Sequence, residues 1–130
     1  MKEPRWLTRE ECLALHAMML SQYGGMSGVR DDGLLDSALA KPQNLFAYGK
    51  PKMAELAASY VAGVVKNPPF LDGNKRTGFM LGAGFLESNG YHFTANEAEV
   101  VLRTLALAAG EMSEAEYAAW LKANSRKAKR

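Results

Sequence analysis

Residues 67–77, with the sequence Asn-Pro-Pro-Phe-Leu-Asp-Gly-Asn-Lys-Arg-Thr, combine residue types that can bind an anion. Asp72-Gly73 is a turn signal, because glycine adopts positive φ without a steric cost, and Asn74 is a suitable N-cap for a following helix. Lys75-Arg76 places two cations where that helix leaves backbone N–H groups without partners. Together these groups predict a phosphate site, and the adjacent carboxylate could hold a divalent metal ion.

An ordinary helix start, with a cap and two solvated cations, would use the same residues. The spacing is not that of a Walker A loop, which needs Gly-x-x-x-x-Gly-Lys-Ser/Thr. It is also not the Gly-x-Gly-x-x-Gly turn of dinucleotide-binding proteins. The residue types of the 67–77 loop therefore leave both interpretations open.

Two apolar helices flank the 67–77 loop and must position it. One is predicted from about Lys52 to Lys66 and ends at Asn67-Pro68-Pro69, because a proline disfavours the α conformation of the residue before it. The other runs from about Lys75 to Asn89 and is apolar on almost all sides, which is typical of a helix at the centre of a bundle. Three glycines in it are expected to allow close helix approach: Gly78, Gly82 and Gly84.

Near the start of the chain, Thr8 to Glu11 has the spacing of a capping box and predicts a first helix, which Gly24-Gly25 ends. Its apolar stripe is assigned to Leu13, Ala17 and Leu20, flanked by Met18 and Met19. Cys12 is expected to pack in the core. His16 is expected to lie at the surface or to be lightly buried, and not to bind a metal.

The next segment, Gly28 to Asp31, is predicted to be a loop, and the short helix after it is expected to end at Pro42. Arg30 is expected to pair with a neighbouring aspartate or to bind phosphate, and the first of these is favoured. Residues 42–51 are predicted to be a long irregular connection with two aromatic side chains, Phe46 and Tyr48. Such connections often form lids or binding edges, but packing of both rings onto the core is favoured.

In the C-terminal half, Thr94 to Glu97 and Ser113 to Glu116 have capping-box spacing and predict two more helices. Tyr91 to Thr94 is predicted to be short and extended. From about Lys122 the chain becomes basic and is expected to be a solvated, frayed tail. Residues 1–130 are thus predicted to form one all-α domain, a bundle of about six helices in which the 67–77 loop feeds the central buried helix.

Composition argues against several classes of protein. A chain of 130 residues is one domain by size and can bury a sizeable core. The net charge of +2 is too small to argue for nucleic acid or an anionic membrane. Cys12 is the one cysteine, so no internal disulfide can form. We find no apolar run of signal-peptide or membrane-spanning length, and the cytoplasm is the expected compartment.

The 67–77 loop resembles the active-site loop of the Fic/Doc family, whose Doc branch has roughly His-x-Phe-x-Asp-Gly/Ala-Asn-Lys-Arg-Thr. The residues that match in register are Phe70, Asp72, Gly73, Asn74, Lys75, Arg76 and Thr77. The resemblance extends upstream to Gly28–Asp31, Leu34–Leu39 and Pro42, and covers nearly the whole chain. One position departs from the motif: Pro68 stands two residues before Phe70, where the family has its catalytic histidine.

This resemblance implies a transferase that moves part of ATP onto a protein hydroxyl. In that scheme Asp72 would hold Mg²⁺, and the histidine absent at Pro68 would deprotonate the attacking hydroxyl. Neutralisation of charge in the transition state would come from Lys75 and Arg76. The residues implied to contact phosphate are Gly73, Asn74, Lys75, Arg76 and Thr77. A flap that docks the target segment would contain Phe46 and Tyr48.

Two positions favour transfer of phosphate over transfer of AMP. AMP-transferring Fic enzymes resemble Gly-Asn-Gly-Arg-x-x-Arg, whereas this chain has Lys75 for the second glycine and Phe79 for the last arginine. Both match Doc toxins, which are similar to protein kinases and phosphorylate a threonine of elongation factor Tu. The resemblance thus implies a translation-arresting toxin that a Phd-type antitoxin neutralises by inserting a helix beside the site. AMP transfer, or a catalytically dead binding module, is the alternative.

The proline at position 68 makes the implied activity conditional. Proline has no titratable group, and losing a general base typically costs about 10²–10⁴-fold in rate. Pro68 marks either a naturally inactive member that serves as a binding module, or a substitution selected during cloning because an active toxin arrests its host. We favour the second, because the other functional residues of the loop are retained and the two codons differ by one base.

Overall fold

The computed structural model describes residues 2–128, which form six α-helices and a two-stranded antiparallel sheet. In chain order these are α1 (Arg9–Tyr23), α2 (Asp32–Tyr48), α3 (Met53–Lys66), α4 (Asn74–Ser88), β1 (Tyr91–Phe93), α5 (Glu97–Ala109), α6 (Glu114–Ala123) and β2 (Ser125–Lys127). The predicted bundle of about six helices is therefore confirmed. None of the described helices is long and apolar enough to cross a bilayer.

Helix α3 is the most completely buried element of the bundle. Every residue from Leu56 to Val65 is buried, and α2, α4, α5 and α6 all pack against this helix. The sequence predicted that the central helix would be the one after the 67–77 loop, but that helix, α4, has its buried residues on the side toward α3. The loop therefore joins the end of the buried helix α3 to the start of α4, which packs on one side of it.

Two of the three glycines in α4 allow the close approach of α3 that the sequence predicted. A Cβ atom at Gly78 would lie 2.9 Å from Val65 Cγ1, and one at Gly82 would lie 2.5 Å from Val61 Cγ2. The prediction is wrong for Gly84, because a Cβ atom there would meet nothing within 4 Å. This third glycine faces open space instead of α3.

The predicted capping boxes at Thr8 and Ser113 are confirmed, and the one at Thr94 is wrong. Helix α5 begins at Glu97, and its N-cap is Asn96, whose side chain accepts the N–H of Glu99. The backbone N–H and the hydroxyl of Thr94 instead donate to the carbonyl of Asn124, at 2.9 and 3.2 Å. These bonds continue the pairing of β1 with β2, so tertiary pairing outweighs the local capping signal.

Pro42 does not end α2, which continues for six more residues to Tyr48. Proline in a helix interior removes one backbone hydrogen bond and costs about 3 kcal/mol. The burial of α2 against α3 outweighs this cost. Pro42 itself is buried, and α2 and α3 approach so closely that a Cβ atom at Gly63 would lie 3.2 Å from the Cα atom of Ala38. Residues 42–48 are therefore helical, and the predicted irregular connection is reduced to the few residues before Met53.

The buried face of α1 is rotated relative to the predicted stripe. Its buried residues are Cys12, His16 and Met19, whereas Ala17 is exposed. The expectation of a surface or lightly buried His16 is thus wrong, since this side chain is only 5% exposed. The expectation for Cys12 is confirmed, because it is fully buried in the core.

Burial of Cys12 leads to a testable prediction about its reactivity. Burial raises the pKa of its thiol to about 11, and the reactive species in alkylation is the thiolate. We expect iodoacetamide at pH 8 to leave the native chain unmodified for hours and to modify the urea-unfolded chain within minutes, measured by intact mass. Rapid modification of the native chain would show that the α1 packing described here is wrong.

The basic C-terminal segment is not frayed over its first residues. Ser125–Lys127 forms β2, in which Ser125 pairs with Phe93 and Lys127 pairs with Tyr91. The pairing gives this segment a fixed path that its charges alone did not predict. The last two basic residues of the predicted tail, Lys129 and Arg130, lie outside the described residues.

Candidate functional site

The 67–77 loop ends at an uncapped helix N-terminus. Gly73 is the N-cap residue of α4 and has φ 74° and ψ 18°, in the left-handed region that glycine adopts at no steric cost. No side chain caps this terminus, and its first turn contains no acidic residue. The first backbone N–H groups of α4, together with the positive end of the helix dipole, are therefore available to an anion.

Asn74 is not the N-cap that the sequence predicted. It is the first residue of α4, and its amide oxygen accepts the N–H of Phe70 while its amide nitrogen donates to the carbonyl of Phe70, both at 3.0 Å. Its side chain thus closes the loop onto itself and leaves the N–H groups of α4 uncovered.

Lys75 and Arg76 add positive charge at the same terminus. Both side chains are exposed, and neither forms a salt bridge with another described residue. The guanidinium of Arg76 lies 4.2 Å from the ring centroid of Tyr23, the last residue of α1, in a cation–π contact. Two cations without carboxylate partners, beside free N–H groups, favour the anion-site interpretation over an ordinary helix start.

Asp72 lies next to these cations with an exposed carboxylate. One of its oxygens accepts the N–H of Gly73 at 2.9 Å and the other accepts the N–H of Met26 at 3.2 Å. Within residues 2–128, no group of three or more His, Cys, Asp or Glu side chains could hold a metal. A single carboxylate fits Mg²⁺ that is bound mainly through nucleotide phosphates and water.

A cavity of about 910 Å³ opens over the loop. Its lining includes Pro68, Asp72, Lys75 and Arg76, together with further residues of α4 and α5. Its volume lies in the upper part of the range for small-molecule and cofactor sites. The structure thus brings every predicted loop residue except Thr77 to one cavity.

Three other predicted residues lie away from the cavity lining. Thr77 is completely buried, and its hydroxyl has no hydrogen-bond partner among the described residues. Phe46 packs edge-on against Trp6, with ring centroids 5.6 Å apart. Tyr48 is 90% exposed at the end of α2. The residues predicted for a flap therefore belong to a helix, and neither of them lines the cavity.

The segment that does contact the loop is 28–31. The backbone N–H of Arg30 donates to the carbonyl of Pro69 at 2.7 Å, and the N–H of Leu71 donates to the carbonyl of Gly28 at 3.1 Å. The Arg30 side chain pairs with no aspartate among residues 2–128, so the favoured prediction for this residue is wrong. Its Nε donates to the carbonyl of Pro68 at 3.1 Å, and its Nη2 donates to the same oxygen.

These contacts explain how two consecutive prolines fit into the loop. Its backbone is held by the carbonyls of Pro68 and Pro69 and by the N–H groups of Phe70 and Leu71. The contacts that hold the loop thus use the carbonyl oxygens of the two prolines and the N–H groups of the two residues that follow them.

His16 is a residue of the site that the sequence analysis missed. Its ring stacks on Phe70 with centroids 3.8 Å apart and an angle of 9°, and its Nε2 lies 2.8 Å from the carbonyl oxygen of Asp72. It lies four residues after Cys12 and three residues before Met19, and this helical spacing indicated a position on the buried face of α1. It does not line the cavity.

Comparisons with known proteins agree with the resemblance of the loop. The model of the Fic/DOC family matches residues 6–86, which include α1 to α3, the loop and α4 as far as Leu86. The protein named "Protein kinase doc" from Escherichia phage P1 is 31% identical over 115 residues, covering 88% of this chain and 90% of that protein. The "Toxin Doc" of Mycolicibacterium smegmatis is 36% identical over 94 residues, covering 70% of this chain and 69% of that protein.

Proposed function

The chain belongs to the Fic/DOC family, and we propose from this premise that it is the toxin of a toxin–antitoxin system, a Doc-type phosphotransferase. Its cofactors would be ATP and Mg²⁺, and its substrate a protein hydroxyl, namely a threonine of elongation factor Tu. The names of the two relatives support the toxin class and a kinase activity. The cytoplasm, where translation takes place, is the compartment that this proposal requires.

The observation that carries the proposal is the uncapped start of α4 with its two unpaired cations. Lys75, Arg76 and the carboxylate of Asp72 line one cavity of about 910 Å³. Phosphoryl transfer depends mainly on positioning and on charge neutralisation. A site that combines free N–H groups, two cations and one carboxylate could both position a nucleoside triphosphate and neutralise its charge.

Each loop residue then has a role in the proposed reaction. Asp72 would hold Mg²⁺, which would neutralise charge on the phosphates when bound. The N–H groups at the start of α4 would bind phosphate oxygens, and Lys75 and Arg76 would stabilise the negative charge of the transition state. A histidine at position 68 would accept the proton of the attacking threonine hydroxyl.

Transfer of phosphate is favoured over transfer of AMP by two residues of the site. Lys75 stands where AMP-transferring relatives have a glycine, and its side chain is exposed beside the cavity. Phe79 stands where they have a second arginine, and its ring packs 5.6 Å from that of Phe93. The site therefore has the lysine side chain of Lys75 beside the cavity, and one turn later α4 has Phe79 instead of a cation.

An antitoxin of the Phd type is the proposed partner. Beside the loop, the cavity is lined by apolar side chains of α4 and α5, including Val101 and Leu105, whereas Leu102 lies outside that lining. On α5 Val101, Leu102 and Leu105 are 51%, 68% and 46% exposed. An apolar face of this spacing suits an amphipathic helix, and a helix seated there would cover the entrance to the cavity.

The mass of the transferred group tests the proposal. We would incubate the Pro68→His variant with ATP, Mg²⁺ and a bacterial cell extract, and analyse modified proteins by mass spectrometry. We expect one translation factor to gain a phosphoryl group, and none to do so when Asp72→Ala is added. A gain of AMP would contradict the assignment based on Lys75, and no modification would favour a binding module without activity.

A further inference from the structure

We propose that His16 is a positioning residue for the phosphate site, because it fixes the orientation of the peptide unit between Asp72 and Gly73. The inference rests on the proposed function for the identity of the anion. It concerns a contact between α1 and the 67–77 loop, and the residue on α1 lies outside the loop motif.

The hydrogen bond to the carbonyl of Asp72 determines which ring nitrogen of His16 carries a proton. A carbonyl oxygen can only accept, so the Nε2 atom at 2.8 Å must carry the proton. The ring is 5% exposed and is stacked on Phe70 at 3.8 Å. Both contacts restrict rotation of the imidazole, so it presents a fixed donor to the loop.

The two ends of one peptide unit point in opposite directions. No described peptide bond is cis, and in a trans peptide the C=O and the following N–H lie on opposite sides of the chain. The Asp72 carbonyl points toward α1, so the N–H of Gly73 points away from α1. At present that N–H is bonded to the carboxylate of Asp72 at 2.9 Å, which lines the cavity.

Without a donor at position 16, this peptide unit has a second available orientation. Gly73 has φ 74° and ψ 18°, which are the values for the third residue of a type II turn. A type I turn needs a rotation of the preceding peptide unit by roughly 150–170°. That rotation would turn the carbonyl of Asp72 toward the cavity, so that an oxygen would replace an N–H and repel phosphate.

A pair of substitutions separates the donor from the ring. His16→Gln keeps an N–H donor at similar reach and loses the aromatic ring. His16→Phe keeps a ring that can stack on Phe70 and loses the donor. We expect His16→Phe to weaken binding of inorganic triphosphate with Mg²⁺ by about 10- to 150-fold, the range for a hydrogen bond to a charged group. We expect His16→Gln to weaken it by less than about 3-fold, on the same scale.

Calorimetry would measure the binding, and crystal structures of the three proteins would give the orientation of the peptide unit. A carbonyl of Asp72 that rotates in His16→Phe and stays in place in His16→Gln supports the inference. An unrotated carbonyl in His16→Phe, or equal loss of binding in both variants, overturns it. If His16→Phe fails to fold, His16→Met provides the same loss of the donor with a flexible apolar side chain.

The two proposals can fail separately. If the unsubstituted chain binds no triphosphate, the proposed function loses its phosphate site. The orientation of the carbonyl in the crystal structures still decides the role of His16, since it is observed without any ligand. If triphosphate binds equally to all three proteins, the proposed function stands and the inference about His16 is rejected.

Discussion

Pro68→His is expected to raise the rate of ATP-dependent protein phosphorylation by about 10²–10⁴-fold, the usual contribution of a general base. Pro68 lines the cavity that contains Asp72 and Lys75, so an imidazole there would face the bound nucleotide. Its backbone position is held by the Arg30 side chain through the carbonyl, and this contact does not depend on the side chain at position 68. The substitution should therefore leave the loop unchanged. Transfer of labelled phosphate to purified elongation factor Tu measures the rate.

Asn67→His provides a matched control, since it places the same imidazole one residue earlier at an exposed position. We expect no gain in rate from it. In cells, Pro68→His should arrest growth, and coexpression of the cognate antitoxin should relieve the arrest. If Pro68→His binds ATP and Mg²⁺ but transfers nothing, the phosphotransferase proposal fails.

The source gene separates the two explanations for Pro68. A histidine codon there would identify the proline as a substitution selected during cloning. A proline codon would favour a natural binding protein that keeps the phosphate site without the base. The geometry of the loop is compatible with either origin, because the contact made by position 68 uses its backbone carbonyl, which histidine also has.

Local signals predicted the helices well where no other element competes for the same groups. The capping boxes at Thr8 and Ser113 use side chains and N–H groups from a single turn, so the sequence contains all of their partners. Thr94 has the same local spacing, but its groups bond to Asn124, thirty residues later. Pro42 likewise signals a helix end locally, and the packing of α2 on α3 overrides that signal.

The site was predictable to the same extent. The groups of α4 that are proposed to bind an anion follow one another in sequence, and the resemblance of the loop pointed to them together. The residues that hold the loop, His16 and Arg30, come from segments 56 and 38 residues away. Their role depends on backbone carbonyls that are brought close only by folding. Every residue has such a carbonyl, so the sequence does not indicate which of them will accept these hydrogen bonds.

Gly82→Ala is expected to destabilise the chain by about 1–3 kcal/mol, the usual cost of overpacking a core, while Gly84→Ala should stabilise it by about 0.5–1 kcal/mol, the gain in helix propensity. Both glycines lie in α4, two residues apart. A Cβ atom at Gly82 would lie 2.5 Å from Val61 Cγ2 and 3.0 Å from the carbonyl oxygen of Ala57. The second neighbour is backbone, so α3 and α4 would have to move apart.

The two changes in the free energy of unfolding are expected to have opposite signs, although both substitutions replace glycine by alanine in α4. The difference therefore reports the packing around each position. Urea unfolding of the two variants and the parent, followed by circular dichroism, would measure the free energy of unfolding. Equal stabilisation by both substitutions would show that α3 and α4 do not approach as closely as in the structure.

The packing of α4 on α3 also affects the site, because α4 contains Asn74, Lys75 and Arg76, and α3 ends where the 67–77 loop begins. A shift of α4 on α3 would therefore move the N–H groups proposed to bind phosphate relative to Pro68.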